Sequence, residues 1–215
     1  MIIAIQKPPG ITSHDVIYKV RKITKEQRVG HAGTLDPFAQ GVLIVGITRE
    51  STKTLDQYLR LPKEYETTAI LGATSTTLDL TGDISPLENP PIPTREAVET
   101  VLSQFLGPQT QIPPMYSAKK VGGKKLYELA RKGVTIERKP SEITIYSLEL
   151  LDYTYPHLTL RIGCSTGTYI RTLVDDIAIA LNTHAYCEKL TRTKIGDFTL
   201  EQSLTLEDFA AQYSK

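Results

Sequence analysis

Hydrophobic residues recur with a helical period in several parts of the chain, and each recurrence predicts a helix. After residue 12, the apolar positions 16, 17, 20 and 23 share one helical face. Thr12 and Asp15 stand ahead of them at the spacing of a capping box. The same period predicts helices over about 94–106 and 167–182, and a short helix near Leu126 to Ala130.

Strand patterns lie between these helices. The run "IIAIQ" opens the chain, and the continuous apolar run "GVLIVGI" (41–47) is typical of a buried strand. In "YETTAILGAT" (65–74) alternate residues from Tyr65 to Leu71 share one face. Two more strands are predicted at about 142–151 and 158–164. Because strands and helices mix without a regular βαβ alternation, the pattern predicts an α+β fold with a mixed sheet.

Composition places the chain among ordinary globular proteins. Its net charge is close to zero, but basic residues are clustered in particular segments. Its 215 residues suffice for one substantial domain, with 40% hydrophobic and 23% charged residues and a formal net charge of +1. The segment from Lys119 to Lys139 nevertheless holds eight basic residues against Glu128 and Glu137. A second basic cluster runs from Lys19 to Arg28. Such segments attract phosphates, although the same pattern is typical of a solvated loop or helix face.

The cysteines and the N-terminus bear on the compartment. Cys164 and Cys187 form no CxxC pair, which favours a reducing compartment. The opening "MIIAIQKPPG" is too short for a signal peptide, and nothing later in the sequence approaches a membrane span. We therefore expect a cytoplasmic protein that does not associate with a membrane.

Motifs for common cofactors do not match this sequence. "VGGKK" resembles a phosphate loop but lacks the earlier glycine and the final Ser or Thr. The sequence contains neither a GxGxxG after a strand, nor HExxH, nor a GxSxG elbow, and its four histidines show no ligand spacing. We therefore expect neither a nucleotide cofactor nor a metal.

One carboxylate stands in an unusual context. In "GHAGTLDPFAQGVL" (30–43), Pro37 pushes Asp36 towards an extended backbone, and the neighbouring glycines permit sharp turns. The sequence is compatible with a carboxylate held at a site, or with a simple Asp-Pro turn or helix cap. Arg171 likewise has an ordinary interpretation as a surface partner of Asp175, one helical turn away.

Five stretches taken in order closely resemble the bacterial TruB family. They are "KPPGITS" (7–13), "GHAGTLDPFAQGVL" (30–43), "KEYE" (63–66), "IPPMYSAKKVGGKKLYELARKG" (112–133) and "CSTGTYIRTLVDD" (164–176). This resemblance covers nearly the whole chain. It implies the pseudouridine synthase fold, a largely antiparallel mixed sheet flanked by helices. It further implies a single catalytic domain over 1–215, with a basic thumb-like insertion at about 108–140 and no C-terminal RNA-binding domain of the PUA type.

The family's activity follows from the same resemblance. Its members isomerise uridine 55 in the T-loop of tRNA by flipping the base, breaking its glycosidic bond and rejoining the sugar to C5. The resemblance implies that this chain acts on the T-arm of tRNA as a monomer, without cofactor, metal or obligatory protein partner. The aspartate can bond the sugar, add to the base ring or remove a sugar proton.

The resemblance also assigns roles to residues of this chain. Asp36 matches the catalytic aspartate, Tyr65 the tyrosine that stacks on the target base, and Arg171 the arginine that pairs with the aspartate. Other positions match residues that line the pocket or take up the space left by the extruded nucleotide: Tyr169, Leu190 and His31. Contacts to the RNA backbone are predicted for Lys119, Lys120, Lys124, Lys125, Arg131 and Arg192.

Two other functions remain open at this point. A non-catalytic RNA-binding module could use the same scaffold, but pure binding does not need a constrained carboxylate. A guide-RNA-dependent synthase could share the same motifs. The insertion "YSAKKVGGKKLYELARKG" (116–133) favours a stand-alone enzyme instead.

Overall fold

The computed structural model describes residues 1–213 as a mixed α+β fold; the last two residues of the predicted domain lie outside the described part. The strands are β1 (Ile2–Lys7), β2 (Val29–Ala32), β3 (Gln40–Ile47), β4 (Lys63–Leu71), β5 (Ala73–Ser75), β6 (Ile84–Pro86), β7 (Gly107–Gln111), β8 (Lys120–Val121), β9 (Lys124–Lys125), β10 (Ser141–Thr154), β11 (His157–Cys164), β12 (Ala185–Ile195) and β13 (Phe198–Thr199). The helices are α1 (Ser13–Thr24), α2 (Arg49–Lys53), α3 (Leu55–Leu59), α4 (Arg95–Gln104), α5 (Leu126–Ala130), α6 (Ile170–Ala180) and α7 (Leu206–Tyr213). Within residues 1–213, no helix is both long and apolar enough to cross a membrane.

The chain divides into two compact units. The first unit comprises residues 1–66 and the chain from 190 onward, and the second comprises residues 67–189. In the first unit β1 and β2 both pair antiparallel with β3, and β12 joins β3 in parallel, with Arg192 opposite Gly41. The predicted single domain over 1–215 stays a prediction.

The core of the first unit lies on both faces of β3. On one face Val16 and Val20 of α1 and Phe209 of α7 pack with Leu43 and Val45. On the other face Val42 and Ile44 pack with Leu55 of α3. Because every residue of β3 from 41 to 47 is buried, the continuous apolar run of its sequence matches its position between two layers.

In the second unit the strand order is β12-β4-β11-β10-β7. Along β4 every second residue is buried, from Lys63 to Leu71, as the alternation in its sequence predicts. The antiparallel β10–β11 and β10–β7 pairs continue the sheet, and α4 packs against β10 and α6. The predicted mixed, largely antiparallel sheet with flanking helices is confirmed.

Most predicted elements are present, and the capping box of α1 is one of them. Thr12 Oγ1 accepts from the Asp15 backbone N–H, and the Asp15 carboxylate accepts from the Thr12 N–H. The predictions of α4, α5, α6 and the longer strands are also confirmed. No sequence pattern predicted β2, the short helices α2 and α3, or the long strand β12.

The basic insertion leaves the sheet at Gln111 and returns at Ser141, where these two residues pair across β7 and β10. Inside it β8 and β9 form a hairpin whose two turn residues, Gly122 and Gly123, have φ of +57° and +80°. Two consecutive positive φ values are the signature of a type I′ hairpin turn. The "VGGKK" stretch is therefore a tight β-turn.

Gly41 lies where two backbones approach closely. Its φ is +113°, and a Cβ placed on it would lie 2.7 Å from the backbone N of Arg192 and 2.9 Å from the carbonyl carbon. Gly41→Ala should lower the free energy of unfolding by about 1–2 kcal/mol through the backbone angle and roughly 1–3 kcal/mol more by pushing β12 away from β3. Urea denaturation measures this loss.

Gly107→Ala is the matched control. Gly107 also has a positive φ, +92°, but nothing lies within 4 Å of its added Cβ. We expect this variant to lower the free energy of unfolding only through the backbone angle, by about 1–2 kcal/mol. Equal losses in the two variants would show that the approach of the strands at Gly41 does not matter.

Candidate functional site

The loop that carries Asp36 joins β2 to β3 in the first unit, and the start of α1 holds the residue before it. Asp36 is half-buried. Ser13 is 1% exposed, and its Oγ accepts from the Leu35 N–H at 2.9 Å and donates to the Leu35 carbonyl at 3.2 Å. One hydroxyl thus satisfies both backbone groups of the residue adjacent to Asp36.

The residue after Asp36 is held from the same side. The Pro37 carbonyl accepts from the Gly10 N–H at 2.9 Å and from Lys7 Nζ at 3.2 Å. Lys7 is 1% exposed, and its Nζ also donates to the carbonyls of Pro8 and Ile11. The segment 7–13 therefore brackets Asp36 by fixing the backbone on both sides of it.

The charge of Lys7 interacts with that of the Asp36 carboxylate. Burial lowers the pKa of Lys7 from 10.5 to about 8, while the negative charge of Asp36 acts in the opposite direction. At pH 7 Lys7 is therefore mostly the ammonium ion. Its positive charge favours the ionised form of Asp36, which is the form that can act as a nucleophile or base.

Arg192 lies inside the first unit, and its predicted contact with the RNA backbone stays a prediction. The side chain is 1% exposed. Its Nε donates to the Val42 carbonyl and its Nη2 to the Gly33 carbonyl, both at 2.8 Å. A buried guanidinium with this geometry holds the start of the Asp36 loop to β3, and it does not present its charge to a phosphate at the surface.

His31 lies in β2 as a half-buried neutral ring. The pKa of His31 falls from 6.5 to about 4, mainly through burial and then through the charges of His14 and Arg192. The His14 ring stands edge-on to it, with 5.8 Å between centroids. Among residues 1–213, His31 Nδ1 is a buried atom with no hydrogen-bond partner. An unsatisfied buried ring nitrogen is a site where a bound ligand could supply the missing partner.

The other predicted residues of the first unit are Tyr65 and Leu190. Tyr65 belongs to the buried face of β4. Leu190 is a buried position of β12, where buried and more exposed residues alternate. Both side chains can contribute apolar surface to a pocket, which is consistent with the roles that the resemblance gives them.

In the second unit Arg171 is the centre of a buried polar network. Its Nη1 lies 3.0 Å from Asp79 Oδ2, and both side chains are at most 5% exposed. The same guanidinium donates to the carbonyls of Thr77 and Tyr116. Because a buried ion pair needs such additional bonds to offset its desolvation, the orientation of Arg171 is strongly determined.

Asp79 is the part of this network that sequence reasoning missed. Its Oδ1 accepts from the Thr77 hydroxyl and from both the N–H and hydroxyl of Thr81. A "TLDLT" turn of this kind gives a weak signal, because Asp and Thr are common in any turn. Asp175, the alternative partner considered for Arg171, lies 3.0 Å from His184 Nδ1.

Tyr169 directly precedes α6 as its N-cap residue, half-buried and two positions before Arg171. The two predicted substrate-binding residues that lie in the second unit, Tyr169 and Arg171, therefore share one helix start.

The basic residues of the insertion fall into two groups. Lys120, Lys124 and Arg131 are exposed. Lys119 Nζ instead donates to Ser141 Oγ, and Lys125 Nζ to the Tyr127 hydroxyl. The exposed group is available to phosphates, whereas the other two also have roles within the insertion.

Over residues 1–213, no group of three or more His, Cys, Asp or Glu side chains is arranged to hold a metal ion. The polar groups described above can instead orient a nucleophile and accept or donate hydrogen bonds. Sequence reasoning noted Lys7 and Ser13 only as parts of a motif, and their hydrogen bonds to the Asp36 loop depend on contacts distant in sequence.

Comparisons with known proteins agree with this architecture. A family model described as "TruB family pseudouridylate synthase (N terminal domain)" matches residues 21–170, and a model of the "tRNA pseudouridylate synthase B C-terminal domain" matches residues 171–215. A protein named tRNA pseudouridine synthase B from Caldanaerobacter subterraneus is 48% identical over 96% of this chain and 73% of its own length. The protein of the same name from Protochlamydia amoebophila is 46% identical over 94% of this chain and 77% of its own.

Solved structures show the same fold. A chain from the structure titled "Crystal Structure of a Cbf5-Nop10-Gar1 Complex" matches 99% of this chain with a TM-score of 0.77 and 30% identity. A chain from an H/ACA RNP bound to a substrate RNA containing 2'-deoxyuridine matches with a TM-score of 0.73 and 27% identity. The present chain spans about half of each of these longer chains, 54% and 53%. Since the TruB model covers most of its length and these relatives are 46–48% identical over nearly all of it, the chain belongs to the TruB family of pseudouridylate synthases, which are isomerases.

Proposed function

We propose that this chain is a stand-alone tRNA pseudouridine synthase that converts uridine 55 of the T-loop to pseudouridine, with Asp36 as the catalytic residue. The observation that carries the proposal is the bracketed position of Asp36. Hydrogen bonds from Ser13 hold the residue before it, and Lys7 holds the residue after it. A turn-forming aspartate needs no such support on both sides, whereas a reacting carboxylate gains rate from a fixed position.

The reaction needs a nucleophile or base but no net redox change. The N1–C1′ bond breaks, the uracil turns, and C1′ joins C5, so no heavy atom is gained or lost. The hydrogen on C5 leaves to solvent and N1 gains a proton. An ionised carboxylate beside the Lys7 ammonium suits any of the three roles open to Asp36.

The target base lies stacked in a folded loop and has to be flipped out, which costs a few kcal/mol. Stacking on the ring of Tyr65 recovers roughly 1–3 kcal/mol of this cost. We assign Leu190 and Tyr169 to contacts with the base, and His31 to the space that the base leaves. The exposed cations Lys120, Lys124 and Arg131 bind phosphates of the T-arm.

The partners and the location belong to the proposal as well. We expect a cytoplasmic monomer that acts on tRNA without an obligatory protein partner. The names of the TruB relatives support tRNA as the substrate. The structures of similar chains in multi-protein complexes keep a partner-dependent enzyme as the alternative. The predicted pairing of Arg171 with Asp36 stays a prediction.

Asp36→Asn should abolish product formation and leave tRNA binding nearly unchanged, because the amide keeps the shape of the side chain but cannot act as a nucleophile or base. The loss should be roughly a thousandfold or more. Tritium release from tRNA labelled at C5 of uridine, with the purified chain alone, measures the rate, and filter binding measures affinity.

The same assay separates the alternatives. Wild-type activity on full-length tRNA and on a T-arm minihelix, lost when uridine 55 is replaced, supports a stand-alone synthase. A wild-type chain that binds tRNA without releasing tritium is a binding module, and activity only with added guide RNA and proteins indicates the guide-dependent enzyme. A catalytically competent Asp36→Asn variant would contradict the assignment of Asp36.

Arg171→Lys should lower kcat at least about tenfold, because one ammonium cannot reach Asp79 and the carbonyls of Thr77 and Tyr116 in the same geometry. Arg161→Lys is the control, since Arg161 pairs with Glu149 at a more exposed position of the same unit. We expect that variant to keep wild-type activity. Equal kcat values for the two variants would rule out the importance of the Arg171 network.

His31→Phe should remove an acid-dependent loss of stability. Because the pKa of His31 is about 4 when folded and near 6.5 when unfolded, the unfolded state binds more protons between these values. Wild-type stability should therefore fall, relative to the variant, by at most about 1.4 kcal/mol per pH unit as the pH drops from 6.5 to 4. Urea denaturation at several pH values measures the difference, and parallel curves would show that His31 is not a buried neutral group.

A further inference from the structure

Gln111 is the last residue of β7, and both ends of its side-chain amide form hydrogen bonds with the backbone of one distant residue, Tyr169. Gln111 is 3% exposed. Its Oε1 accepts from the Tyr169 N–H at 2.8 Å, and its Nε2 donates to the Tyr169 carbonyl at 3.1 Å. The orientation of the amide follows from its partner, because a backbone N–H can only donate and a carbonyl can only accept.

This contact fixes the start of α6. Tyr169 is the N-cap residue, and its carbonyl also accepts the first helical hydrogen bond, from the Leu173 N–H at 3.0 Å. Tyr169 has no side-chain capping bond of its own. The two Gln111 bonds therefore help to fix the position of this residue, and Arg171 follows two residues later in the same helix.

A second contact joins the same two segments. Arg171 Nη2 donates to the carbonyl of Tyr116 at 2.7 Å, five residues beyond Gln111. Gln111 also pairs with Ser141, where the insertion returns to the sheet. The root of the basic insertion and the start of α6 are thus connected by side-chain-to-backbone bonds in both directions.

We propose that Gln111 is a positioning residue for the reaction: it sets the place of Tyr169 and Arg171 relative to the root of the basic insertion. This inference rests on the proposed function, since it requires that these two residues line the nucleoside pocket. Without Gln111, the Tyr169 N–H loses this acceptor, and the Tyr169 carbonyl loses this donor but keeps its bond from the Leu173 N–H, so the start of α6 shifts.

Gln111→Met is the first test, because methionine has nearly the same length and neither accepts nor donates comparably. Displacement of catalytic groups by about 1 Å can lower a rate by roughly two orders of magnitude. We expect kcat to fall about ten- to a hundredfold, with KM for tRNA changed by less than about twofold. Tritium release under saturating and subsaturating tRNA gives both constants, and urea denaturation confirms that the variant is folded.

Gln109→Met is the matched control. Gln109 lies two residues earlier on the same strand and is half-buried, and its Nε2 donates locally to the Phe105 carbonyl at 2.6 Å. We expect wild-type kcat and KM. An equal fall of kcat in both variants, or wild-type kcat in Gln111→Met, would overturn the inference.

Gln111→Glu is a second variant whose kcat should recover at low pH. It also tests the inference if the methionine variant fails to fold. Its carboxylate still accepts from the Tyr169 N–H, but when ionised it repels the Tyr169 carbonyl; protonation restores a donor. Since burial raises a carboxyl pKa, the kcat of this variant relative to wild type should rise at least about threefold as the pH falls from 8 to 6. A flat ratio would overturn the inference. A wild-type chain that releases no tritium refutes the proposed function, and the inference with it.

Discussion

The backbone on either side of Asp36 is held by buried polar side chains, and the proposed chemistry depends on this constraint. Ser13 binds both backbone groups of Leu35, and Lys7 and Gly10 bind the Pro37 carbonyl. Burying a lysine is costly unless its three protons have partners, and each of them here has a carbonyl within reach. The same bonds that offset the burial of Lys7 thus define where the carboxylate stands.

In the second unit, too, buried polar side chains form hydrogen bonds to the backbone. Arg171 is buried against Asp79, and its remaining donors go to backbone carbonyls. Gln111 binds the backbone of Tyr169 with both ends of its amide. In each unit, buried polar side chains hold the backbone at or next to a proposed site residue: Lys7 and Ser13 beside Asp36, and Gln111 at Tyr169. Such preorganisation lowers a reaction barrier because little rearrangement is left to occur during the reaction.

Local periodicity explains which parts of this structure the sequence predicts well. The apolar faces of α1 and α6 and the alternation of β4 are visible in short windows, because burial of one face imposes the period of the element itself. The strand β12 was missed because its basic "KLTRTK" segment resembles a surface run. Arg192 was assigned to RNA by the family resemblance, and its parallel pairing beside Gly41 makes it an interior residue. Arg171 had a plausible surface partner one turn away, and its pairing with Asp79 depends on a contact across 92 positions of sequence that no local pattern reveals.

A crystal structure of the chain bound to a T-arm minihelix tests the central claim most directly. The account predicts that a carboxylate oxygen of Asp36 lies about 3–3.5 Å from a reacting atom of the flipped uridine. It also predicts that the Ser13 and Lys7 bonds to the loop remain as they are without RNA. A complex in which Asp36 faces away from the nucleoside, or in which the loop rebuilds to reach it, would contradict the account.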